Sequence, residues 1–231
     1  MNVSEETALA GEIRLARGLA LIFDLDGVVV DSMPVHTQAW QRYLQSLGID
    51  GDDVAKRMHG RRNDEIVRDF LGPGVDAQTS FDHGAAKERL YREMMRGQLK
   101  RRLVPGVADF LQRASSLPVG LATNAEPANV DFVLDGAGLR SCFRAVVDGT
   151  QVRHAKPAPD VYLLAADKLN IAPENCIVFE DSAVGAAAAR SAGTRVVAVL
   201  THEASLEGVG FAVRNFLEPE LEPWLAVQRV V

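Results

Sequence analysis

Residues 19–32, LALIFDLDGVVVDS, constrain the fold of this chain more than any other segment. The segment begins with five consecutive apolar residues, a pattern that is typical of a strand buried on both faces of a parallel sheet. Two carboxylates, Asp24 and Asp26, follow directly, and Gly27 comes after them. Because unpaired charge in a buried place costs free energy, these carboxylates predict a nearby cation. The alternative is a strand that runs into an ordinary polar turn.

Residues 33–103 contain no convincing strand pattern, and we predict that they form an all-helical insert. Apolar residues recur there at helical spacing, and Gly48 is well placed to end the first helix. The expected helices cover residues 34–47, 52–58, 63–71 and 81–103. The chain is therefore predicted to consist of a core domain, residues 1–32 and 104–231, and an inserted helical domain, residues 33–103.

From residue 104 onward, short apolar strands alternate with helical patterns. The predicted strands cover residues 118–122, 145–148, 176–179, 195–200 and 211–213, and the predicted helices cover residues 105–115, 126–138, 157–169 and 182–192. This alternation predicts an α/β fold with a Rossmann-like, doubly wound parallel sheet. Such sheets bind ligands at the carboxyl ends of their strands, near a switch in strand order.

Polar side chains follow four of the predicted strands, at the edge where their carboxyl ends meet. They are Asp24 and Asp26, Thr123 and Asn124, Lys156 in the segment after residue 148, and Glu180 with Asp181. Four carboxylates in one crevice would raise one another's pKa values, which predicts a compensating divalent cation. Oxygen ligands with few carboxylates suit Mg²⁺, which favours phosphate as a co-ligand. A bound Mg²⁺, a lysine, a hydroxyl and backbone amides could together bind a phosphoryl group. The combination indicates phosphoryl transfer.

Each of these features also has a simpler interpretation. Thr123 and Asn124 alone favour a cap between a strand and a turn. A lysine before Pro157 is most often a solvated loop residue, and Glu180 with Asp181 is also typical of a helix start. The joint occurrence of all three at successive strand ends favours phosphoryl transfer, in which one carboxylate attacks phosphorus and another moves protons.

Four motifs resemble those of the haloacid-dehalogenase-like superfamily. They are FDLDGVVVDS at 23–32, LATN at 121–124, AKPAPDVY at 155–162 and FEDSAVG at 179–185, so that the resemblance covers nearly the whole chain. It implies a Rossmann-like core, with residues 33–103 as a helical cap that closes over the site. Dehalogenases of this superfamily lack the second acid and need no metal, so Asp26 favours phosphoryl transfer instead.

The resemblance implies a role for each matching residue. Asp24 is the expected nucleophile and Asp26 the expected general acid and base. Asp24, the backbone carbonyl of Asp26 and Asp181 would hold Mg²⁺, with Glu180 as a further ligand or as an acid beside the ligands. The phosphoryl group would be bound by Leu25, Asp26, Thr123, Asn124 and Lys156, and Thr123 and Lys156 are counted with the catalytic residues.

The cap is expected to supply substrate specificity, with hinges at Ser32 and at residues 103–105. Its polar candidates are His36, His59, Arg61, Arg62 and Asn63, together with Glu65; an exposed helix start at Asn63 is the alternative. The segment resembles the β-phosphoglucomutase-like branch, whose mutases have a cap arginine three residues after a loop glycine. Here Asn63 stands three residues after Gly60, which puts mutase activity in doubt.

We therefore expect a Mg²⁺-dependent phosphatase of small phosphorylated sugars or related metabolites. A β-phosphoglucomutase-type isomerase is the second hypothesis, and a non-catalytic phosphate-binding protein is the third. The net charge of −6 argues against a nucleic-acid partner, and no apolar stretch is long enough to span a membrane. Cys142 and Cys176 form no disulfide or zinc pattern, and no secretory signal is evident, so we expect a cytoplasmic monomer that acts on a small phosphate ester.

Overall fold

A computed structural model of the chain describes residues 11–58 and 61–231. The described residues form a six-stranded, fully parallel sheet with the strand order β3-β2-β1-β4-β5-β6. Its strands are β1 Ala20–Phe23, β2 Val119–Ala122, β3 Ala145–Val147, β4 Cys176–Glu180, β5 Arg195–Val199 and β6 Phe211–Val213. The predicted Rossmann-like α/β fold is confirmed.

Strand β1 lies in the middle of the sheet, and all of its residues are buried. Leu21 pairs with Val119 of β2 on one side and with Ile177 of β4 on the other. The strand order reverses between β1 and β4, which opens a crevice at their carboxyl ends. Asp24 and Asp181 directly follow these two strands, so the fold brings them to this crevice.

The described residues between β1 and β2 form helices and no named strand. The helices are α1 Met33–Ser46, α2 Val54–Met58, α3 Asn63–Leu71 and α4 Ala77–Met95, followed by a short 3₁₀ helix, Leu99–Arg102. Trp40, Leu44, Val54, Ile66 and Val67 are buried together and give this segment a hydrophobic core of its own. The domain boundaries at residues 32 and 104 stay a prediction.

The predicted helix over residues 81–103 is wrong at both ends. The helix α4 begins at Ala77 because the side chain of Asp76 accepts a hydrogen bond from the backbone N–H of Thr79 and caps the helix. It ends at Met95, shortly before Gly97, a residue type that weakens helices. Both signals, an aspartate before the helix and a glycine after it, are present in the sequence.

The remaining helices cover the sheet. They are α5 Val107–Arg113, α6 Pro127–Ala137, α7 Asp160–Leu169, α8 Ala183–Ser191 and α9 Leu221–Ala226, of which α9 was not predicted. Pro127 stands in the first turn of α6, and the Ser182 hydroxyl caps α8 by accepting from the N–H of Gly185. No helix in the described part of the chain is both long and apolar enough to cross a membrane.

The two connections between the sheet and helices α1–α4 lie side by side. Val30 pairs antiparallel with Leu103, and the Asp31 N–H donates to the carbonyl of Arg102 at 2.7 Å. The Arg102 guanidinium also lies 3.0 Å from the Asp31 carboxylate. These contacts hold together the two segments that were predicted to act as hinges.

Candidate active site

One cavity of about 100 Å³ is lined by most of the residues that were predicted to form the site. Its lining includes Asp24, Asp26, His36, Arg61, Arg62, Asn63, Thr123, Asn124, Lys156, Glu180 and Asp181. Leu25 is not in this lining, because its side chain is fully buried in the hydrophobic core. His59 lies outside the described residues. Strand ends therefore form one wall of the cavity, and helices α1, α3 and α4 form another.

Lys156 is the cationic centre of the strand-end wall. Its ammonium donates to Asp24 Oδ1 and to Glu180 Oε1, each at 2.7 Å, and to the carbonyl of Ala122 at 3.2 Å. The residue is 7% exposed, so it is not a solvated loop lysine. Its backbone N–H donates to Asn124 Oδ1 at 3.2 Å, which fixes the loop that carries it.

Asp24 lies in an electrostatically unfavourable place for an ionised carboxylate. Burial raises the pKa of Asp24 to about 8; Lys156 opposes that shift, and the charges of Glu180 and Asp181 add to it. At neutral pH a carboxyl group in this environment needs a further cation nearby if it is to be mainly ionised. The environment of Asp24 thus favours the binding of a metal ion.

The acids around Asp24 fit a hard divalent cation. Carboxylate oxygens of Asp24, Glu180 and Asp181 all lie within 4.8 Å of one another, and each of these residues is buried. Glu180 Oε1 accepts from Lys156 and Tyr162, and its Oε2 accepts from the backbone N–H groups of Asp181 and Ser182. Glu180 is therefore already saturated with hydrogen bonds, which favours Asp24 and Asp181 as the direct ligands.

Two glycines make room for these acids. Gly27 has a φ of +80°, and a Cβ there would lie 1.8 Å from Asp181 Oδ2. A Cβ at Gly185 would lie equally close to Glu180 Oε1, at 1.8 Å. No other residue type fits at either position without displacing a carboxylate. The sequence motifs contain both glycines, but only the fold shows what each of them approaches.

Asp26 has different partners from Asp24. Its Oδ1 accepts from the Ser32 hydroxyl at 2.5 Å and lies 3.4 Å from His36 Nε2. Burial by itself would raise the pKa of Asp26, but the hydrogen bonds from His36 and Ser32 hold it below the ordinary value. The His36 ring stacks on Tyr91 with 3.7 Å between centroids, which fixes its orientation.

Sequence reasoning missed a buried polar network beneath the helices. Lys87 and Glu88 of α4 are 2% and 4% exposed, and Asn129 of α6 is 3% exposed. Lys87 Nζ lies 3.2 Å from His36 Nδ1 and donates to Glu88 Oε1 at 2.5 Å. Glu88 Oε2 accepts from Asn129 Nδ2 at 2.7 Å. The network joins α1 and α4 to α6, and no signal in the charge-rich sequence of α4 distinguished it from a solvated face.

The acid stability of the protein should depend on Glu88. Burial by itself would raise the pKa of Glu88, but the charge of Lys87 and the hydrogen bonds from Lys87 and Asn129 lower it from 4.5 to about 2. A lowered carboxyl pKa stabilises the fold above the unfolded-state pKa, and this stabilisation is lost as the pH falls through about 2. The unfolding free energy of both proteins should fall between pH 6 and pH 3.5. The fall should be smaller in Glu88→Gln than in wild type, by roughly 1 kcal/mol.

Urea denaturation of both proteins at the two pH values measures this difference. Glu93→Gln removes an exposed carboxylate from the same helix and serves as the control. If Glu88→Gln and wild type lose equal unfolding free energy on acidification, Glu88 has no lowered pKa in the folded protein.

The arginines predicted on the cap have partners of their own. Arg61 donates to Glu65 Oε2 at 3.2 Å and to Asp69 Oδ2 at 2.6 Å. Arg62 instead donates across to the core, to the carbonyl of Gly149, at 2.5 Å. This bond and the contact between Glu88 and Asn129 connect the helices of the insert to the core. The cavity between them is smaller than the roughly 300 Å³ of a typical small-molecule pocket. In this arrangement the helices cover part of the strand ends.

Comparisons with known proteins agree with this arrangement. A family model described as haloacid dehalogenase-like hydrolase matches residues 19–193. The protein CbbY of Rhodobacter capsulatus is 35% identical over 87% of this chain and 93% of its own length. Fructose-1-phosphate phosphatase YqaB of Escherichia coli is 34% identical over 79% of this chain and 97% of its own length.

A solved structure has the same fold. It is a β-phosphoglucomutase from Clostridium difficile, with a TM-score of 0.79 and 26% sequence identity, and the match covers 90% of this chain and 96% of that one. The family model spans all four motifs that lie at the strand ends. This chain therefore belongs to the haloacid dehalogenase-like hydrolase family.

Proposed function

We propose that this protein is a Mg²⁺-dependent phosphatase of small phosphorylated sugars or related metabolites, and that Asp24 forms an aspartyl phosphate. The observation that carries the proposal is the position of Asp24: its carboxylate is fixed by Lys156, grouped with two further acids, and lines a cavity with Asp26. The similarity to a fructose-1-phosphate phosphatase supports the substrate class.

In the first half-reaction, a carboxylate oxygen of Asp24 attacks phosphorus, and the bond between phosphorus and the ester oxygen breaks. Asp26 gives a proton to the departing oxygen. The negative charge of the incoming phosphoryl group raises the pKa of Asp26, so that substrate binding itself prepares the acid. Lys156 and the hydroxyl of Thr123 bind the phosphoryl oxygens. A Mg²⁺ ion held by Asp24 and Asp181 would supply further positive charge to them.

In the second half-reaction, Asp26 takes a proton from a water molecule. The water oxygen attacks phosphorus, the bond to Asp24 breaks, and inorganic phosphate leaves. Ser32 and His36 hold the Asp26 carboxylate in one place for both proton transfers. Glu180 also accepts from Lys156 at 2.7 Å, so the ammonium has a second carboxylate partner besides Asp24.

Mg²⁺ should raise the thermal stability of the protein. An ion that binds only the folded state at about 100 times its Kd adds roughly 2.7 kcal/mol, which for a chain of this size corresponds to about 5–10 °C in Tm. Asp181→Asn should abolish most of this shift, whereas Asp52→Asn, an exposed acid, should keep it. Differential scanning calorimetry with and without Mg²⁺ checks this; an unchanged shift in Asp181→Asn would remove Asp181 from the ligand set.

Phosphate release from a panel of sugar phosphates tests the proposed function. We expect release that requires Mg²⁺ and stops with a chelator. A β-phosphoglucomutase-type isomerase is the second candidate, because Arg62 lines the cavity and a mutase shares the fold. Glucose 6-phosphate formed from β-glucose 1-phosphate, with a trace of glucose 1,6-bisphosphate and without free phosphate, would establish the mutase instead.

A further inference from the structure

Tyr91 of α4 carries a buried hydroxyl group that lacks a hydrogen-bond partner. The residue is 0% exposed, and in the part of the chain that the structure describes its oxygen is the one buried side-chain polar atom without a partner. Burying a hydroxyl without a hydrogen bond costs free energy, so native proteins rarely keep such a group. Phenylalanine would fill the same space without this cost. The hydroxyl therefore needs an explanation other than packing.

The Tyr91 hydroxyl lies beside the groups that hold the expected general acid and base. Burial raises the pKa of Tyr91 well above its usual range, and the charges of Asp26 and Glu88 add to this effect. The Ser32 hydroxyl lowers the pKa of Tyr91, so it lies near the Tyr91 oxygen, although the two are not hydrogen bonded here. The Tyr91 ring is held by its stacking on His36. Tyr91 therefore presents an unused donor to the Ser32 and Asp26 pair.

Ser32 uses its hydroxyl for Asp26 and not for the helix that it begins. It occupies the N-cap position of α1, where a serine commonly accepts from a backbone N–H, but its side chain makes no such bond. Its hydroxyl instead donates to Asp26 Oδ1 at 2.5 Å. A serine hydroxyl can rotate and has two lone pairs, so it can accept one hydrogen bond while it donates another. A donor on its oxygen would fix the direction of its proton.

We propose that Tyr91 is a positioning residue: its hydroxyl donates to Ser32 Oγ during the reaction and so keeps the Ser32 proton directed at Asp26. This inference rests on the proposed phosphatase function and adds a residue to it. Because Ser32 then occupies Oδ1 of Asp26, the proton that Asp26 transfers is carried by Oδ2 in both half-reactions. Tyr91 is not among the described residues that line the cavity, so it acts through Ser32 and not on the substrate.

Tyr91→Phe removes only the hydroxyl and tests this role. We expect kcat for a sugar phosphate to fall about 5- to 10-fold at an unchanged KM, the effect of losing one hydrogen bond that forms only in the reacting enzyme. Nitrophenolate departs without a proton, so a single turnover of p-nitrophenyl phosphate should release it at the wild-type rate. The Tm should equal or exceed that of wild type, because an unsatisfied polar group is removed. Tyr43→Phe, whose hydroxyl contacts His83 instead, should keep the wild-type kcat.

The double variant Ser32→Ala/Tyr91→Phe shows whether Tyr91 acts through Ser32. Its kcat should equal that of Ser32→Ala, since Tyr91 then has no hydroxyl to orient. Four results would overturn the proposal: a wild-type kcat, a slower single turnover or a lower Tm in Tyr91→Phe, or a further fall of kcat in the double variant. If Ser32→Ala does not fold, the three values for Tyr91→Phe decide. An absence of turnover by wild type with every phosphate ester would instead reject the phosphatase function, and this inference with it.

Discussion

Replacing Asp24 with asparagine should lower kcat for phosphate release by at least about 10⁴-fold, since loss of a nucleophile removes the covalent route entirely. Asparagine keeps the shape of the side chain but cannot attack phosphorus. The fold should persist, because Lys156 keeps its bonds to Glu180 and to the carbonyl of Ala122. The substitution also removes one of several buried carboxylates that repel one another. We therefore expect an equal or higher Tm in the absence of metal.

Steady-state phosphate release and a thermal melt of the same preparation check both parts of this expectation. Asp52→Asn makes the same chemical change at an exposed position and should retain wild-type activity and stability. If Asp24→Asn keeps activity near that of wild type, another group attacks phosphorus. If it loses activity and unfolds, the buried contact between Asp24 and Lys156 is needed for the fold, which would contradict the expected stability.

Replacing Asp26 with asparagine should lower kcat for a sugar phosphate by about 10²–10⁴-fold, the usual effect of losing a general acid and base. The effect should depend on the leaving group. Nitrophenolate departs without a proton, so p-nitrophenyl phosphate should still phosphorylate Asp24 in this variant. The water attack then lacks its base, and the phosphoenzyme should accumulate.

A rapid-mixing experiment makes this visible. Asp26→Asn should release a burst of one nitrophenolate per active site, followed by a slow steady state. The double variant Asp24→Asn/Asp26→Asn should show no burst and serves as the control. A slow steady state without any burst would mean that Asp26 acts in the first half-reaction even for this leaving group, or that no covalent step exists.

The sequence predicts the sheet and the strand-end wall well because both are encoded locally. A short apolar run that ends in a polar residue specifies a buried strand and its exposed end in a single segment, as Ala20 to Asp26 illustrate. Parallel strand ends meet at one edge, so the fold class alone brings Asp24, Lys156 and Asp181 together. The boundaries of single elements then differ, as in α4, where a side-chain cap and a glycine set the ends, and the short helix α9 was not predicted.

The buried network of Lys87, Glu88 and Asn129 could not be predicted in the same way. Lys87 and Glu88 lie in a helix with many charged residues, and periodicity does not separate a buried ion pair from a solvated one. Glu88 is bonded to Asn129 of α6, which lies outside the insert and more than 40 residues further along the chain, so the contact exists only in the folded protein. The closeness of Gly27 to Asp181 likewise depends on two segments that meet only in the folded protein.

The location of the phosphoryl group after the burst is the most direct test of Asp24 as the nucleophile. Asp26→Asn can be mixed with p-nitrophenyl phosphate, quenched with acid, digested and analysed by mass spectrometry. We expect one phosphoryl group per molecule, on the peptide that contains Asp24, in an amount equal to the burst. Turnover without a phosphorylated peptide, or a phosphoryl group on any other residue, would contradict the assignment of Asp24 as the nucleophile.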